Sequence, residues 1–386
     1  MTKLKYRLSL LFLPLAVAAC SGLPMVDSDG GPSQQQPELT PMATVRGEPL
    51  EARVFTLDRE DQAVVGTPQI VYARHEDSFP QIARNYGLGY DELVAANPGI
   101  DPWLPGEGQP ILLPTQFVLP NAPRDGLVLN IASKRLFYFP PAADDGSRTV
   151  ITYPVGIGRV GWETPLGEAE VVAKARDPHW WVPASVRREH EAMGDPLPSV
   201  VPPGPDNPLG RHVLQLDMPG YLIHGTNQPY GVGMRVSHGC VRLYPEDIEA
   251  LFPMVAIGAP VTIVNQPYLA GWHQDELYFE AHEPLADDEV SPAAHLDSML
   301  AELTEGQSDG EVAQLRSNLE SIASLGTGMP VRVMRNDVLE VYERATAVRN
   351  TVERDPDVPT LAEIRELLDS PPEAESAEAP SGSAVE

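Results

Sequence analysis

Two histidines and a cysteine have the types and spacing that nucleophilic chemistry needs. Cys240 lies in "RVSHGCVRL", residues 235–243, directly behind His238 and Gly239, and the chain's other cysteine is Cys20. His224 closes the apolar part of "YLIHGT", and twelve residues rich in Gly, Asn and Pro lead from Gly225 to Val236. Two strands joined by such a loop bring His224 and Cys240 side by side. A free thiol, with a pKa of about 8.5, is only a few per cent thiolate at pH 7. A neighbouring imidazole that takes its proton supplies the nucleophile an amide carbonyl requires. Gly239 lets the backbone turn tightly and lets a substrate approach the sulfur. Backbone N–H groups around residues 238–240 can then stabilise an oxyanion.

Other readings of these residues are weaker. His/His/Cys also suits zinc, but no fourth ligand or acidic general base accompanies them. A structural cysteine wants an apolar pocket, and Gly, Ser and two histidines make a poor one. A papain-like site has its cysteine on a helix near the mature N-terminus, whereas here histidine precedes cysteine among strands. "GIGRVG", residues 156–161, matches G-x-G-x-x-G, yet "WETPLG" follows, and its Pro165 and Gly167 come too early for the helix that must receive a dinucleotide phosphate. No cofactor or metal is expected.

The elements that must position the trio lie in residues 125–265. Runs such as "GLVLNIASKRLFYF", "TVITYPVGIG", "HVLQLDM" and "PVTIVN" are β-branched, partly alternating and bounded by turn residues, which predicts a mainly β domain. One helix is expected at "PEDIEALFPMV", with Pro245 at its start and Ile248, Leu251 and Phe252 on one face. "DPHWWVPASVRREH", residues 177–190, with Trp180 and Trp181, reads as a loop or lid over the cleft. Residues 266–286 append two strands. Residues 287–370 form an acidic helical extension, with "GEVAQLRSNLESIASLG", "DVLEVYERATAVRN" and "TLAEIRELLDS" at helical spacing, and residues 371–386 are a disordered tail. With 55 Asp and Glu against 27 Lys and Arg, nucleic acid is a poor partner. The 41 Pro and 31 Gly argue against a helical bundle.

Before that domain, residues 69–114 are compact. "QIVYAR" and "QPILLP" are strand-like, and "SFPQIARNYG" and "YDELVAAN" are short helices, the first with Ser78 and Gln81 at capping-box spacing. Residues 20–68, poor in large apolar side chains at their start, read as a flexible tether in which "LEARVFTL" is a candidate strand. Residues 1–19 read as a secretory signal, with Lys3, Lys5 and Arg7 before an apolar core. "LAVAAC" resembles a bacterial lipobox, which implies lipid on Cys20. Ser21, by resemblance to Gram-negative lipoproteins, implies the outer membrane.

Two stretches resemble known families. "HGT" followed by "SHGCVRL" resembles the signature of the L,D-transpeptidases, the YkuD-type catalytic domain, and residues 69–114 resemble a LysM domain that binds peptidoglycan glycan. Together they resemble the Gram-negative branch that joins the two, over about residues 69–283. The resemblance implies a YkuD-like β-sandwich, a small βααβ LysM domain and a periplasmic location. It implies Cys240 as nucleophile and His224 as general base, oriented by the Gly225 carbonyl. His238 and Gly239 would support the oxyanion, Ser237 would order the motif, Arg242 would hold the peptide carboxylate or the active-site loop, and Trp180 and Trp181 would lie near substrate. The implied reaction takes a peptidoglycan stem tetrapeptide, releases D-Ala and hands the acyl group to an amine, either a diaminopimelate (a 3→3 cross-link) or the terminal lysine of a Braun-type lipoprotein. The alternatives are a hydrolytic L,D-carboxypeptidase or endopeptidase, and a wall-binding lipoprotein without catalysis.

Overall fold

The computed structural model describes residues 47–304, 308–335 and 339–353. The signal, Cys20, "TLAEIRELLDS" and the acidic tail lie outside them. Chain order begins with β1 (Val54–Leu57), β2 (Val64–Gly66) and β3 (Gln69–Tyr72), then α1 (Phe79–Asn85), α2 (Tyr90–Ala96), β4 (Pro110–Leu113) and β5 (Gln116–Val118). Gln81 Oε1 accepts the Ser78 N–H at 3.0 Å, which satisfies a donor the helix start would otherwise strand. α1 buries Phe79, Ile82 and Ala83, and Gly87, at φ +67°, ends the turn that follows. The expected order of strand, two helices and strand is present, with β3 and β4 antiparallel.

The body adds β6 (Gly126–Asn130), β7 (Arg135–Phe139), β8 (Arg148–Pro154), β9 (Ile157–Gly158), β10 (Gly167–Arg176), β11 (Trp180–Trp181), α3 (Ala184–Ala192), β12 (Val200–Val201), β13 (His212–Leu216), β14 (Leu222–His224), β15 (Arg235–Ser237), β16 (Val241–Arg242), α4 (Pro245–Met254) and β17 (Pro260–Val264). Nine strands run in the order β1-β8-β7-β6-β17-β10-β13-β14-β16. β10 carries the corner. Its first residues pair with β17, its later ones with β13, and the register shifts between Val171 and Ala173. Such a bulge bends a strand and passes it from one layer to the next. Leu127 and Leu136 on one side and Leu214, Ile223 and Val241 on the other therefore share one core, closed by Ile248, Leu251 and Phe252 of α4.

β6 and β7 are buried along their whole length because both faces are covered. Leu127, Leu129, Leu136 and Tyr138 face the main core. Val128, Phe137 and Phe139 face a second core with Phe79, Ile82, Leu93, Ile111 and Phe117 of the small module. The two units thus share a sheet. This corrects the expected tether: β1, inside residues 20–68, is the edge strand of the nine-stranded sheet, paired with β8 from Val54↔Ile151 to Leu57↔Arg148. α3 is a second correction, a helix where the sequence read as a loop.

The chain continues with β18 (Tyr268–His273), β19 (Glu276–Ala281), α5 (Pro292–Leu303), α6 (Asp309–Ala323), β20 (Val331–Arg332), α7 (Leu339–Arg344) and β21 (Thr346–Ala347). β18 and β19 form the expected appended hairpin, turning through Gln274 and Asp275 at φ +51° and +64°. "DVLEVYERATAVRN" departs from its expected helix, because after Arg344 the backbone pairs parallel with β3 at Thr346↔Gln69. Among the described residues, no helix is long and apolar enough to cross a membrane.

Candidate active site

β14 and β16 lie side by side and parallel, with His224 in register with Arg242. Cys240 directly precedes β16 and His224 ends β14, so the paired strands bring the two residues onto neighbouring stretches of backbone. The Arg242 charge acts on both the imidazole and the thiol. His224 is 3 % exposed, whereas Cys240 is half-buried.

The imidazole is held from behind. His224 Nδ1 lies 2.6 Å from the Gly225 carbonyl, to which it donates, and Nε2 keeps the lone pair. Burial first, and Arg242 second, push its pKa down to about 3 against the pull of hydrogen bonds to the Gly225 and Leu209 backbone. Burial pushes the Cys240 thiol up, opposed by the Leu222 backbone and Arg242. The thiol donates to the Gly220 carbonyl at 3.6 Å. Burial thus disfavours the charged form of both groups.

The turn that carries the sulfur is pinned at each residue. Ser237 Oγ donates to the Cys240 carbonyl at 2.5 Å and accepts the Gly239 N–H at 3.2 Å. Gly239 has φ +98°, and a Cβ there would meet the Tyr221 ring at 3.0 Å and the Glu163 carbonyl at 3.2 Å. Thr164 Oγ1 donates to the Gly239 carbonyl at 2.9 Å and accepts the Gly158 N–H at 3.0 Å. "GIGRVGWETP" thus walls in the Cys240 turn, with no helix at its glycines. Arg242 has a buried Nε without a hydrogen-bond partner.

His238 faces elsewhere. Its Nε2 lies 2.7 Å from Glu189 Oε2 on α3 and 3.1 Å from Arg159 Nη2, and its ring meets the edge of Trp162 at 4.8 Å between centroids. The Nε2–H that could reach an oxyanion is committed to Glu189. Trp180 and Trp181 form β11, paired with β12 ahead of α3, and Trp181 is 74 % exposed. No group of three or more His, Cys, Asp or Glu among the described residues could hold a metal ion. Sequence reasoning missed Thr164, Arg159, Glu189 and Asp287, which grips Arg235 with two bonds of 2.7 and 2.8 Å. Thr164 alone carried a signal, the Thr-Pro of "WETP".

The small module reaches this site. Tyr90 N donates to the Val232 carbonyl at 3.4 Å, and Gly233 (φ +84°) sits so close to α2 that a Cβ there would lie 2.4 Å from Gly89 Cα. Tyr244 Oη, just beyond the cysteine motif, donates to the Leu88 carbonyl at 3.2 Å.

Comparison with known proteins agrees with this geometry. Residues 124–263 match the family model of the L,D-transpeptidase catalytic domain, YkuD. "Probable L,D-transpeptidase YcfS" of Escherichia coli strain K12 is 37% identical over 301 residues, 75% of this chain and 91% of that protein. "Probable L,D-transpeptidase YbiS" of the same strain is 39% identical over 243 residues, covering 62% and 78%. "Probable L,D-transpeptidase ErfK/SrfK" of Salmonella typhimurium strain LT2 is 39% identical over 236 residues, covering 60% and 75%. With that extent of likeness to YcfS, this chain belongs to the L,D-transpeptidases, a family of acyltransferases.

Proposed function

We infer that the chain exchanges amide bonds on peptidoglycan stem peptides through a thioester on Cys240. Sγ attacks the carbonyl carbon of the third residue of a tetrapeptide stem while its proton passes to His224 Nε2. The carbon–nitrogen bond breaks, and that proton leaves with the amine of D-Ala. An acceptor amine then adds to the thioester carbonyl, its proton returns through His224 to the departing sulfur, and a new amide forms with the thiol regenerated. One amide replaces another, so the balance needs no ATP.

The observation that carries this reading is the placement of Cys240 at the start of the strand that pairs with the His224 strand, with Nδ1 tied to Gly225. Burial disfavours the charged form of both groups, which supports proton transfer in concert with the attack. Backbone N–H groups of residues 238–240 are the candidate oxyanion donors. The unpartnered Nε of Arg242 supports a role in holding a carboxylate, and the exposed Trp181 supports a substrate contact for the β11 ribbon. The order β3-α1-α2-β4 supports glycan binding by a LysM-like module. The lipobox-like "LAVAAC" supports a lipid on Cys20 and a periplasmic enzyme tethered to the outer membrane. Diaminopimelate and the lysine of a Braun-type lipoprotein are the acceptors to test.

Mass spectrometry of products from tetrapeptide muropeptides, with and without a lysine-ended acceptor peptide, tests the reading. Expected are D-Ala release, an acyl adduct on Cys240, and dimers or acceptor conjugates. Tripeptide alone would establish hydrolysis, and turnover by Cys240→Ala would remove the mechanism.

A further inference from the structure

Helix α3 is a surface helix with little to hold it down. Val186 is its buried residue, and the rest of "ASVRREHEA" is polar or small. Beside the buried Val186, one carboxylate ties its polar face to the body. Glu189 Oε2 takes His238 Nε2 at 2.7 Å, and Oε1 takes the Arg159 guanidinium. These partners belong to two different walls of the site. His238 is two residues before Cys240, and Arg159 follows β9, where its N–H donates to the Ser237 carbonyl at 3.1 Å. One side chain therefore spans the covering helix, the nucleophile's turn and the loop behind it.

The bridge also settles the chemistry of the ring. A carboxylate can only accept, so His238 must donate Nε2–H to it, and the neutral ring keeps its lone pair on Nδ1. Arg159 Nη2, 3.1 Å from the same nitrogen, gives one of its two N–H donors to Glu189 Oε1. The groups facing the ring are Glu189 and His190 from α3, Arg159 from the loop after β9, and Arg242 from β16. Glu189 is the carboxylate among them, and it favours the protonated ring against burial and two arginines.

We propose that Glu189 is a positioning residue for acyl transfer: by bridging His238 and Arg159 from helix α3, it fixes the tautomer and orientation of His238 and locks the covering helix to the Cys240 turn. The proposal rests on the reading of Cys240 as nucleophile. Nothing in the sequence around Glu189 marks it, because its partners lie 30 and 49 positions away.

Glu189→Gln tests it with little risk to folding, since the substitution is isosteric on a surface helix. The variant is assayed with purified tetrapeptide muropeptides, and the His238 ring is titrated by NMR, assigned by its loss in His238→Asn. Expected are a fall in kcat on the order of tenfold with KM little changed, as for a misplaced catalytic turn, and a His238 midpoint moved to lower pH. A side chain that merely decorated the helix would leave both unmoved, and an unchanged kcat or an unmoved titration overturns the proposal. Cys240→Ala, run alongside, separates the two readings. If it retains turnover the nucleophile assignment falls, and if it is inert while Glu189→Gln behaves as wild type, only the bridge falls.

Discussion

Arg135 offers the sharpest test of how the two units are joined. It is 1 % exposed on β7, with its guanidinium over the Phe117 ring at 4.1 Å. It holds Glu92 of α2 through Nη2–Oε2 at 2.6 Å and Nε–Oε1 at 3.2 Å, and it donates to the Gly87 carbonyl and Thr152 Oγ1, each at 3.2 Å. Arg135→Ala strips the cation and leaves the Glu92 carboxylate interred with the Gly89 N–H, 3.0 Å away, as a remaining donor. Breaking a buried pair in this way costs about 3–5 kcal/mol, because an uncompensated charge stays behind. Replacing both partners with apolar side chains of similar volume, Arg135→Met with Glu92→Leu, removes that penalty and recovers most of the loss. Urea unfolding followed by circular dichroism and by intrinsic fluorescence reads both. In thermal melts the Arg135→Ala midpoint should fall by about 5–8 °C, since about 2.1 cal/mol/K of unfolding entropy per residue over roughly 300 residues makes each kcal/mol worth about 1.6 °C. A loss below about 1 kcal/mol, or a double variant worse than the single one, refutes the claim that the pair is desolvated and cohesive.

Three further outcomes follow from the same geometry. Gly239→Ala forces φ +98° on a residue with a Cβ and pushes it toward the Tyr221 ring, so transfer should drop by two orders of magnitude or so while the fold loses about 1–3 kcal/mol; near-wild-type turnover would show that the turn has slack. Iodoacetamide labelling of Cys240 should accelerate with pH into the alkaline range, beyond an unperturbed thiol, since burial raises its pKa; a rate plateau reaching into acid would instead reveal a thiolate–imidazolium pair. Asp247, in the first turn of α4, has its pKa pushed up to about 6 by burial. The native state thus favours its protonated form. The associated stability is complete below about pH 4 and lost as pH rises through 6, so wild type should weaken over that window by up to about 3 kcal/mol relative to Asp247→Asn. Parallel stability curves for the two proteins would contradict that.

The site was legible where chemistry and local pattern coincide. Cys240, His224 and Gly239 stand in adjacent short motifs, and their strands are β-branched runs with turn residues between them. The strands of the body and helix α4 were readable for the same reason, since α4 presents Ile248, Leu251 and Phe252 at helical spacing. What escaped was decided by distant partners. β1 is a strand because β8 offers an open edge nearly a hundred residues on. α3 buries Val186 and so shows no apolar stripe. Glu189, Arg159 and Asp287 earn their positions through ion pairs across loops, and an acidic or basic residue in a loop looks the same whether or not it has found one. β21 follows a helical pattern that ends early, because pairing with β3 outweighs one more turn.

The return of the chain's end to its beginning has a consequence for biogenesis. Val348 and Val352 lie in the core beside Phe79 and Ile82, Asn350 Nδ2 donates to Asp77 at 2.6 Å, and Arg74 donates to the Val352 carbonyl at 2.8 Å. The small module around Phe79 and Ile82 therefore cannot close until residues 348–352, about 270 positions downstream, have reached it. Until then its sticky face is open to chaperones, proteases and neighbouring copies. A stop codon near residue 345 would leave Cys240 and His224 in the chain yet strip Val348 and Val352 from the core around Phe79.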